Sequence, residues 1–273
     1  MVKKLLKHEA KYYARTLIII EAVIFALALF TRLLLFFEFD SIVYYILQGS
    51  SYAMFALAAY AALIMTFVIS IVRFYKNLFS NEGYLSFTLP VSTNQHLLAK
   101  LLSAVVYSII VFVSVIAAAL ITVSGDILNE VVKAGVYLLK NLIDVLPKGG
   151  IIHLILYVIE FIVIMLLSVI SSFLLYYCFI AIGQTAKKNR ILLSVGCYFA
   201  YSAANQALGT FLSIGLSLAE PYIPYEALER FIEAHPFAFF HIIFVALIIW
   251  SVILTVVFYF VVQRIISRKL NLE

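Results

Sequence analysis

The chain alternates long apolar stretches with short polar segments, and the apolar stretches have the length that crosses a lipid bilayer. A spanning helix needs about 20 mostly apolar residues, because about 30 Å of hydrocarbon is crossed at about 1.5 Å per residue. Six stretches meet this length: 17–37, 51–72, 101–123, 151–182, 191–218 and 237–266. All five prolines lie between or at the ends of these stretches, where they do not interrupt a helix in lipid. The pattern predicts an all-α integral membrane protein with six transmembrane helices.

The polar segments carry helical patterns of their own. Residues 126–146 alternate apolar and polar side chains at helical spacing, which predicts a helix in the membrane interface. Residues 220–236 contain three prolines and four glutamates, which excludes a span and predicts short helices. Four basic residues recur at helical spacing before the first stretch, namely Lys4, Lys7, Lys11 and Arg15. They predict an N-terminal amphipathic interfacial helix, with a frayed basic anchor as the alternative. No linker divides the chain, so a single membrane domain is predicted over residues 1–273.

Composition excludes a soluble globular protein. Hydrophobic residues make up 65% of the 273 residues and charged residues 12%, whereas a soluble domain is about 45–50% apolar and about 25% charged. The two cysteines, Cys178 and Cys197, lie inside apolar stretches and are interpreted as small buried hydrophobic residues.

The basic residues lie mostly on one side of the predicted spans. Six spans put both termini on the same side, together with the segments after the second and fourth spans. That side holds 14 of the 19 Lys and Arg residues, all but Arg32, Lys133, Lys140, Lys148 and Arg230. By the positive-inside rule, both termini are predicted to be cytoplasmic. The net charge of +5 therefore reflects membrane orientation, and it requires no nucleic-acid partner.

The segment between the second and third spans predicts a rigid elbow at the membrane surface. Gly83 after Glu82 ends the helix that leaves the second span, and Pro90 closes a short extended piece. Ser92 stands three residues before Gln95, a capping-box spacing that starts the next helix. Five aromatic residues hold the elbow near the membrane: Phe74, Tyr75, Phe79, Tyr84 and Phe87. Aromatic and charged side chains exposed to the cytoplasm are suited to docking another protein.

The run from Asn81 to Ser92, NEGYLSFTLPVS, with LLAK ending at Lys100, resembles the first cytoplasmic loop of the type-2 ABC export permeases. In those proteins an acidic residue and a glycine precede a leucine-containing stretch, a Pro-Val-Ser or similar run, and a lysine that opens the next span. The layout of the whole chain is similar as well, with a basic N-terminal helix, six spans and a proline-containing connection before the last span.

The resemblance implies a mechanical role. In that family two permease domains form a dimer around a translocation path, and the first loop inserts a short helix into a groove on an ATPase subunit. Carried onto this chain, the coupling loop comprises Phe74, Tyr75, Lys76, Phe79, Glu82, Gly83 and Tyr84, with Lys76 and Glu82 as polar contacts. The implied setting is the plasma membrane of a bacterium, and the implied cargo is a hydrophobic or amphipathic peptide, lipid or drug.

The chain contains no G-x-x-x-x-G-K-[ST] motif. It is therefore expected to be no enzyme and to hold no cofactor, and ATP and Mg are expected in a separate ABC ATPase subunit. The other expected partners are a second permease copy, or a homologous permease, and membrane lipid.

Ionisable residues inside the spans are functional candidates, because each costs about 2.5–3.5 kcal/mol at a helix centre. Glu21 and Arg32 lie about a turn from the ends of the first span, where they either snorkel to the interface or have a function. Glu160 lies nine residues after Ile151, about 13 Å along a helix at about 1.5 Å per residue. It either lines a polar path or makes a structural hydrogen bond.

The fifth span carries a polar stripe on one helical face: Ser194, Tyr198, Tyr201, Ser202, Asn205 and Gly209. Such a stripe either lines a passage, for which Ser194, Tyr198, Ser202 and Asn205 are the candidates, or packs against another helix. The five histidines are dispersed and predict no metal site. A stand-alone secondary transporter or channel is the alternative function, and an intramembrane enzyme is a third.

Overall fold

The computed structural model describes residues 2–37, 39–80, 83, 91–123, 125–146 and 149–268. The chain divides into two compact units, Met1–Val145 and Leu146–Glu273, which are described separately. Within the described residues the regular structure is all helical, without strands.

The described part of the first unit includes α1 (Val2–Leu34), α2 (Ile42–Phe79), α3 (Thr93–Thr122) and α4 (Asp126–Val145). Helix α1 packs against both α2 and α3, and α2 packs against α3. Side chains near the start of α1 contact the end of α2, and Thr31 near the end of α1 approaches Ser51 near the start of α2. Helices α1 and α2 are therefore antiparallel.

The second unit contains α5 (Gly150–Gly183), α6 (Arg190–Ala219), a 3-10 turn (Glu220–Tyr222), α7 (Tyr225–Ala234) and α8 (Ala238–Arg268). Helix α5 packs against both α6 and α8. His153 pairs with His241, and Ser171 pairs with Thr255. Because the residue numbers of both helices increase from the first pair to the second, α5 and α8 are parallel.

Among the described residues, five helices are long and apolar enough to cross a membrane: Lys3–Leu34, Ile42–Phe79, Thr93–Thr122, Gly150–Gly183 and Ala238–Ser267. These helices are compatible with a multi-pass membrane protein, and they coincide with five of the six predicted spans. Helix α6 is 30 residues long, but it is not among the five. Its polar residues, including Asn205 and Gln206, lower its mean hydropathy.

The basic N-terminal segment is continuous with the first apolar stretch. Helix α1 runs for 33 residues without a break, about 50 Å at about 1.5 Å per residue. The predicted N-terminal amphipathic helix is therefore the first half of α1 rather than a separate element. Its inner face is held by the unit itself, because Tyr13 and Leu17 are buried in the core.

Small side chains pack in the interior of the first unit beside larger ones such as Tyr13, Ile24 and Phe74, and many other large apolar side chains face outward. Ala28, Ala62, Ala104 and Ala118 are buried, and Leu57, Ile64 and Leu102 are exposed. Small residues let helices approach closely, and apolar outer faces match a lipid surrounding.

Two local predictions are confirmed. Ser92 caps α3, its side chain accepting from the Gln95 amide while the Gln95 side chain accepts from the Ser92 amide. The segments predicted as helical outside the spans are helices α4 and α7 together with the 3-10 turn. Both cysteines are free thiols, Cys178 buried and Cys197 half-buried.

Candidate functional site

The described residues of the predicted coupling loop divide into buried and accessible positions. Phe74 and Phe79 are buried in the first unit, with ring centroids 5.7 Å apart in an edge-to-face arrangement. Tyr75 is half-buried and Lys76 is exposed. The side chains that α2 offers to a partner at this end are therefore Tyr75 and Lys76, while the two phenylalanines pack inside the unit.

Gly83 lies in a crowded position. Its amide donates to the carbonyl of Ser80 over 2.7 Å, and a Cβ at this residue would lie 2.6 Å from the carbonyl oxygen of Leu78. Glycine is required here because the backbone leaves no room for a side chain. Glu82 and Tyr84 lie outside the described residues.

A buried ionic cluster joins three helices beside this loop. The carboxylate of Glu9 on α1 accepts from Arg73 Nε over 3.0 Å through Oε2 and from Lys100 Nζ over 2.9 Å through Oε1. The side chains of Glu9, Arg73 and Lys100 are 7%, 10% and 6% exposed. Burying charges to this degree is costly unless they are paired, so both oxygens of Glu9 are committed to the two cations.

Aromatic side chains fix the cluster. The guanidinium of Arg73 lies 3.6 Å from the centroid of the Tyr12 ring, within cation–π range. Tyr107 of α3 donates to the Ala10 carbonyl over 3.0 Å and stacks on Tyr13 with ring centroids 4.9 Å apart. These contacts tie α1 to α3 directly beside Glu9.

The cluster joins the end of α2 and the start of α3 to α1. Arg73 lies in the last two turns of α2, and Lys100 lies in the second turn of α3. The two helices that flank the predicted coupling loop are therefore both ionically bonded to one carboxylate on α1.

In the second unit, Glu160 belongs to a chain of hydrogen bonds between α5 and α8. Nδ1 of His241 lies 2.8 Å from Oε1 and 3.0 Å from Oε2 of Glu160. Nε2 of His241 lies 3.0 Å from Nδ1 of His153. Glu160, the candidate path residue, thus forms a hydrogen bond with a histidine of another helix.

The polar stripe of α6 has one end packed and the rest exposed. The hydroxyl of Ser194 donates to the Arg190 carbonyl over 3.1 Å, and this serine lies against Gly183. The ring of Tyr198 stacks near Tyr176 of α5, with centroids 6.1 Å apart. Ser202 and Asn205 are exposed and line a shallow polar groove along α6.

Comparison of the chain with family models, curated proteins and solved structures finds no match. Function is therefore argued from the residues themselves. Across the part of the chain that the structure describes, no group of three His, Cys, Asp or Glu side chains is placed to hold a metal ion.

Two site features escaped prediction from the sequence. The first is Glu9, whose partners are 64 and 91 residues away. The second is the contact of His153 with His241, because dispersed histidines give no local signal. The available clue was the spacing of His153, Tyr157 and Glu160, which places all three on one face of a helix.

Glu21, a candidate already identified from the sequence, points toward the interior of the first unit. Both of its carboxylate oxygens are buried and have no hydrogen-bond partner within the described residues. It occupies the same helix face as Leu17 and Ile24, which belong to the core of the first unit. Snorkelling to the interface therefore does not describe this side chain.

Proposed function

We propose that the protein is the transmembrane permease subunit of an ATP-driven ABC exporter. A separate ABC ATPase subunit binds ATP and Mg, and a second permease copy or a homologous permease completes the transporter. The chain has six spans with both termini cytoplasmic, in the plasma membrane of a bacterium. The exported substrate is hydrophobic or amphipathic, of the class of peptides, lipids or drugs.

The observation that carries this proposal is the Glu9 cluster. A coupling loop requires that force applied to a surface segment reach the transmembrane helices. Here Arg73 before the segment and Lys100 after it converge on one buried carboxylate of α1. Because breaking a buried ion pair costs about 3–5 kcal/mol, the ends of α2 and α3 move together with α1 rather than past it.

The surface that docks the ATPase combines Tyr75 and Lys76 with the segment 81–90. Lys76 is exposed and supplies a positive charge beside this segment. Phe74 and Phe79 support the surface from below, since both are buried. Among the described residues, the docking surface thus offers Tyr75 and Lys76, and Phe74 and Phe79 pack beneath them.

Helix α6 is the remaining span of the six. Its 30 residues reach about 45 Å at about 1.5 Å per residue, more than the hydrocarbon thickness of about 30 Å. Its polar groove at Ser202 and Asn205 faces a translocation path or another helix, because polar side chains in lipid seek partners. Ser194, Tyr198 and Glu160 are the other candidates for lining that path.

The number of spans is tested by the side of each terminus. Six spans place the N- and C-termini on the same side of the membrane, whereas five spans place them on opposite sides. Reporter fusions active on only one side of the membrane, attached in turn to each terminus, distinguish the two. Both termini reporting from the cytoplasm is the expected result, and a C-terminus outside would remove α6 as a span.

The function is tested by purification from native membranes in mild detergent. We expect a co-eluting subunit that contains the G-x-x-x-x-G-K-[ST] motif and hydrolyses ATP in the presence of Mg. Glu82→Ala should leave membrane insertion intact and uncouple hydrolysis from transport. If no ATPase accompanies the protein and liposomes containing the purified chain show transport without ATP, the proposal fails.

A stand-alone secondary transporter is the second candidate, and one observation favours it. In each unit the first long helix packs against both of the other long helices, α1 against α2 and α3, and α5 against α6 and α8. Secondary transporters commonly contain repeats, and a shared packing order is what such a repeat produces. Transport driven by an ion gradient in liposomes without ATP would support this candidate over the first.

A further inference from the structure

The hydrogen-bonded chain of Glu160, His241 and His153 has the chemistry of a proton-binding site. All three side chains are titratable, and each bonds only through atoms that can exchange a proton. The bonds run in one direction, from the Glu160 carboxylate through both ring nitrogens of His241 to Nδ1 of His153. This arrangement is independent of ATP and of any partner subunit, so the inference goes beyond the proposed function.

The protons of the chain can be assigned from its geometry. When both rings are neutral, Nδ1 of His241 donates to the Glu160 carboxylate, and Nε2 of His241 accepts from Nδ1 of His153. Nε2 of His153 is then the unprotonated nitrogen. Every hydrogen bond of the chain is satisfied in this state.

One further proton enters without breaking a bond. It binds Nε2 of His153, and the proton on Nδ1 of the same ring moves to Nε2 of His241. His241 is then an imidazolium that donates to Glu160 on one side and to His153 on the other. The positive charge thereby comes to rest beside the carboxylate, which stabilises it.

A second proton does not fit. Two cationic rings would each carry a hydrogen on the nitrogens that face each other across 3.0 Å, and the bond between His153 and His241 would be lost. We propose that Glu160, His241 and His153 form a site that binds one proton at the contact between α5 and α8. The proton converts a chain of neutral hydrogen bonds into an ion pair between these helices.

Neighbouring aromatic side chains hold the rings in place for this transfer. Phe237 stacks on His153 with ring centroids 4.4 Å apart and planes inclined by 8°. The Tyr157 ring lies 4.4 Å from that of His241, and its hydroxyl donates to the Phe237 carbonyl over 2.8 Å. Among the described residues, Tyr157 is the further titratable group in contact with the chain. A tyrosine face also favours a cationic ring.

The site is shielded but accessible to protons. The side chains of His241 and Glu160 are each 19% exposed. His241 and His153 lie in the first turns of α8 and α5, and Glu160 lies between them and the contact of Tyr176 with Tyr198 toward the other end of α5. The site therefore responds to the pH on the side of the membrane where α5 and α8 begin.

The test is a pH titration of the full chain, labelled with isotopes at histidine and reconstituted in lipid nanodiscs. The NMR signals of the imidazole nitrogens are monitored between about pH 5 and 8, the range in which histidine changes charge. Single histidine-to-glutamine variants assign the signals. We expect His153 and His241 to respond together to one bound proton, and His235, which contacts Phe231 instead, supplies a reference signal from outside the chain of hydrogen bonds. Two independent protonations of His153 and His241 would overturn the proposal.

A matched pair of variants tests the role of the carboxylate. Glu160→Gln should weaken proton binding by the chain about tenfold or more, because the amide oxygen can still accept from Nδ1 of His241 but carries no charge to stabilise the imidazolium. Glu226→Gln in the same unit should leave it unchanged, since Glu226 pairs with Arg230 at an exposed position. Unchanged proton binding in Glu160→Gln would contradict the assignment. If that variant fails to fold, the number of protons that His153 and His241 bind together in the unmodified protein still tests the proposal.

Discussion

Replacing Glu9 by glutamine removes a negative charge from between Arg73 and Lys100 while preserving the size of the side chain. The three side chains are about nine-tenths buried, and the two cation–oxygen distances are 3.0 and 2.9 Å. A unit-charge pair 4 Å apart interacts by about 4 kcal/mol at an effective dielectric constant of about 20, and both pairs here are shorter. Removing one partner of a buried pair costs about 3–5 kcal/mol, since the remaining charge loses its compensation.

We therefore expect Glu9→Gln to lower the free energy of unfolding by about 3–5 kcal/mol. The assay is reversible unfolding in bicelles by titration with a denaturing detergent, with the helix content measured at each detergent concentration. Glu9→Asp, which keeps the charge and shortens the side chain, should lie between Glu9→Gln and the unmodified protein. This ordering separates the contribution of the charge from that of packing.

The matched control is Glu226, a carboxylate in an exposed ion pair. Glu226 lies 3.4 Å from Arg230, with 91% and 75% of the two side chains exposed. Such pairs contribute about 0.3–0.5 kcal/mol, so Glu226→Gln should be nearly neutral. If Glu9→Gln costs no more than Glu226→Gln, the cluster does not connect the helices and the reasoning about the coupling loop is refuted.

Two further substitutions test packing at single positions. Gly83→Ala should destabilise the first unit by about 1–3 kcal/mol, the usual cost of overpacking, because its Cβ would meet the Leu78 carbonyl. Gly49→Ala, where nothing lies within 4 Å, should be neutral or stabilising. Equal effects of the two substitutions on the free energy of unfolding would contradict this prediction. Thr255→Val removes the 2.6 Å hydrogen bond to Ser171. It should lower the free energy of unfolding by about 0.6 kcal/mol, the average for hydrogen bonds between membrane helices. A loss above about 1.7 kcal/mol in the same titration would exceed the range for such bonds and contradict this prediction.

The long helices were predictable from the sequence because bilayer thickness imposes a minimum apolar length. Their ends were less predictable, since polar residues continue a helix beyond the hydrocarbon. Helix α2 begins nine residues before the predicted span at Ser51 and ends seven residues after Val72. The start of α3 was predictable to the residue, because the capping box of Ser92 and Gln95 is a local interaction.

The candidate sites were predictable only in part. Glu160 was identified because an acidic residue inside an apolar stretch is costly. Its partner His241 was not, because the pairing depends on the packing of α5 against α8. The same holds for Glu9, which in the sequence is one acidic residue within a basic segment. Only the tertiary fold brings it to Arg73 and Lys100.

The central claim, that an ATPase docks beside the end of α2, is tested most directly by site-specific photo-crosslinking in native membranes. A photoreactive residue at the exposed position of Lys76 should crosslink to a subunit that contains the G-x-x-x-x-G-K-[ST] motif. The same residue at the exposed position of Glu226, on the opposite side in the proposed topology, should not. Crosslinking of an ATP-binding subunit from position 76 alone is the predicted result. Its absence from position 76, or equal crosslinking from both positions, would contradict the account.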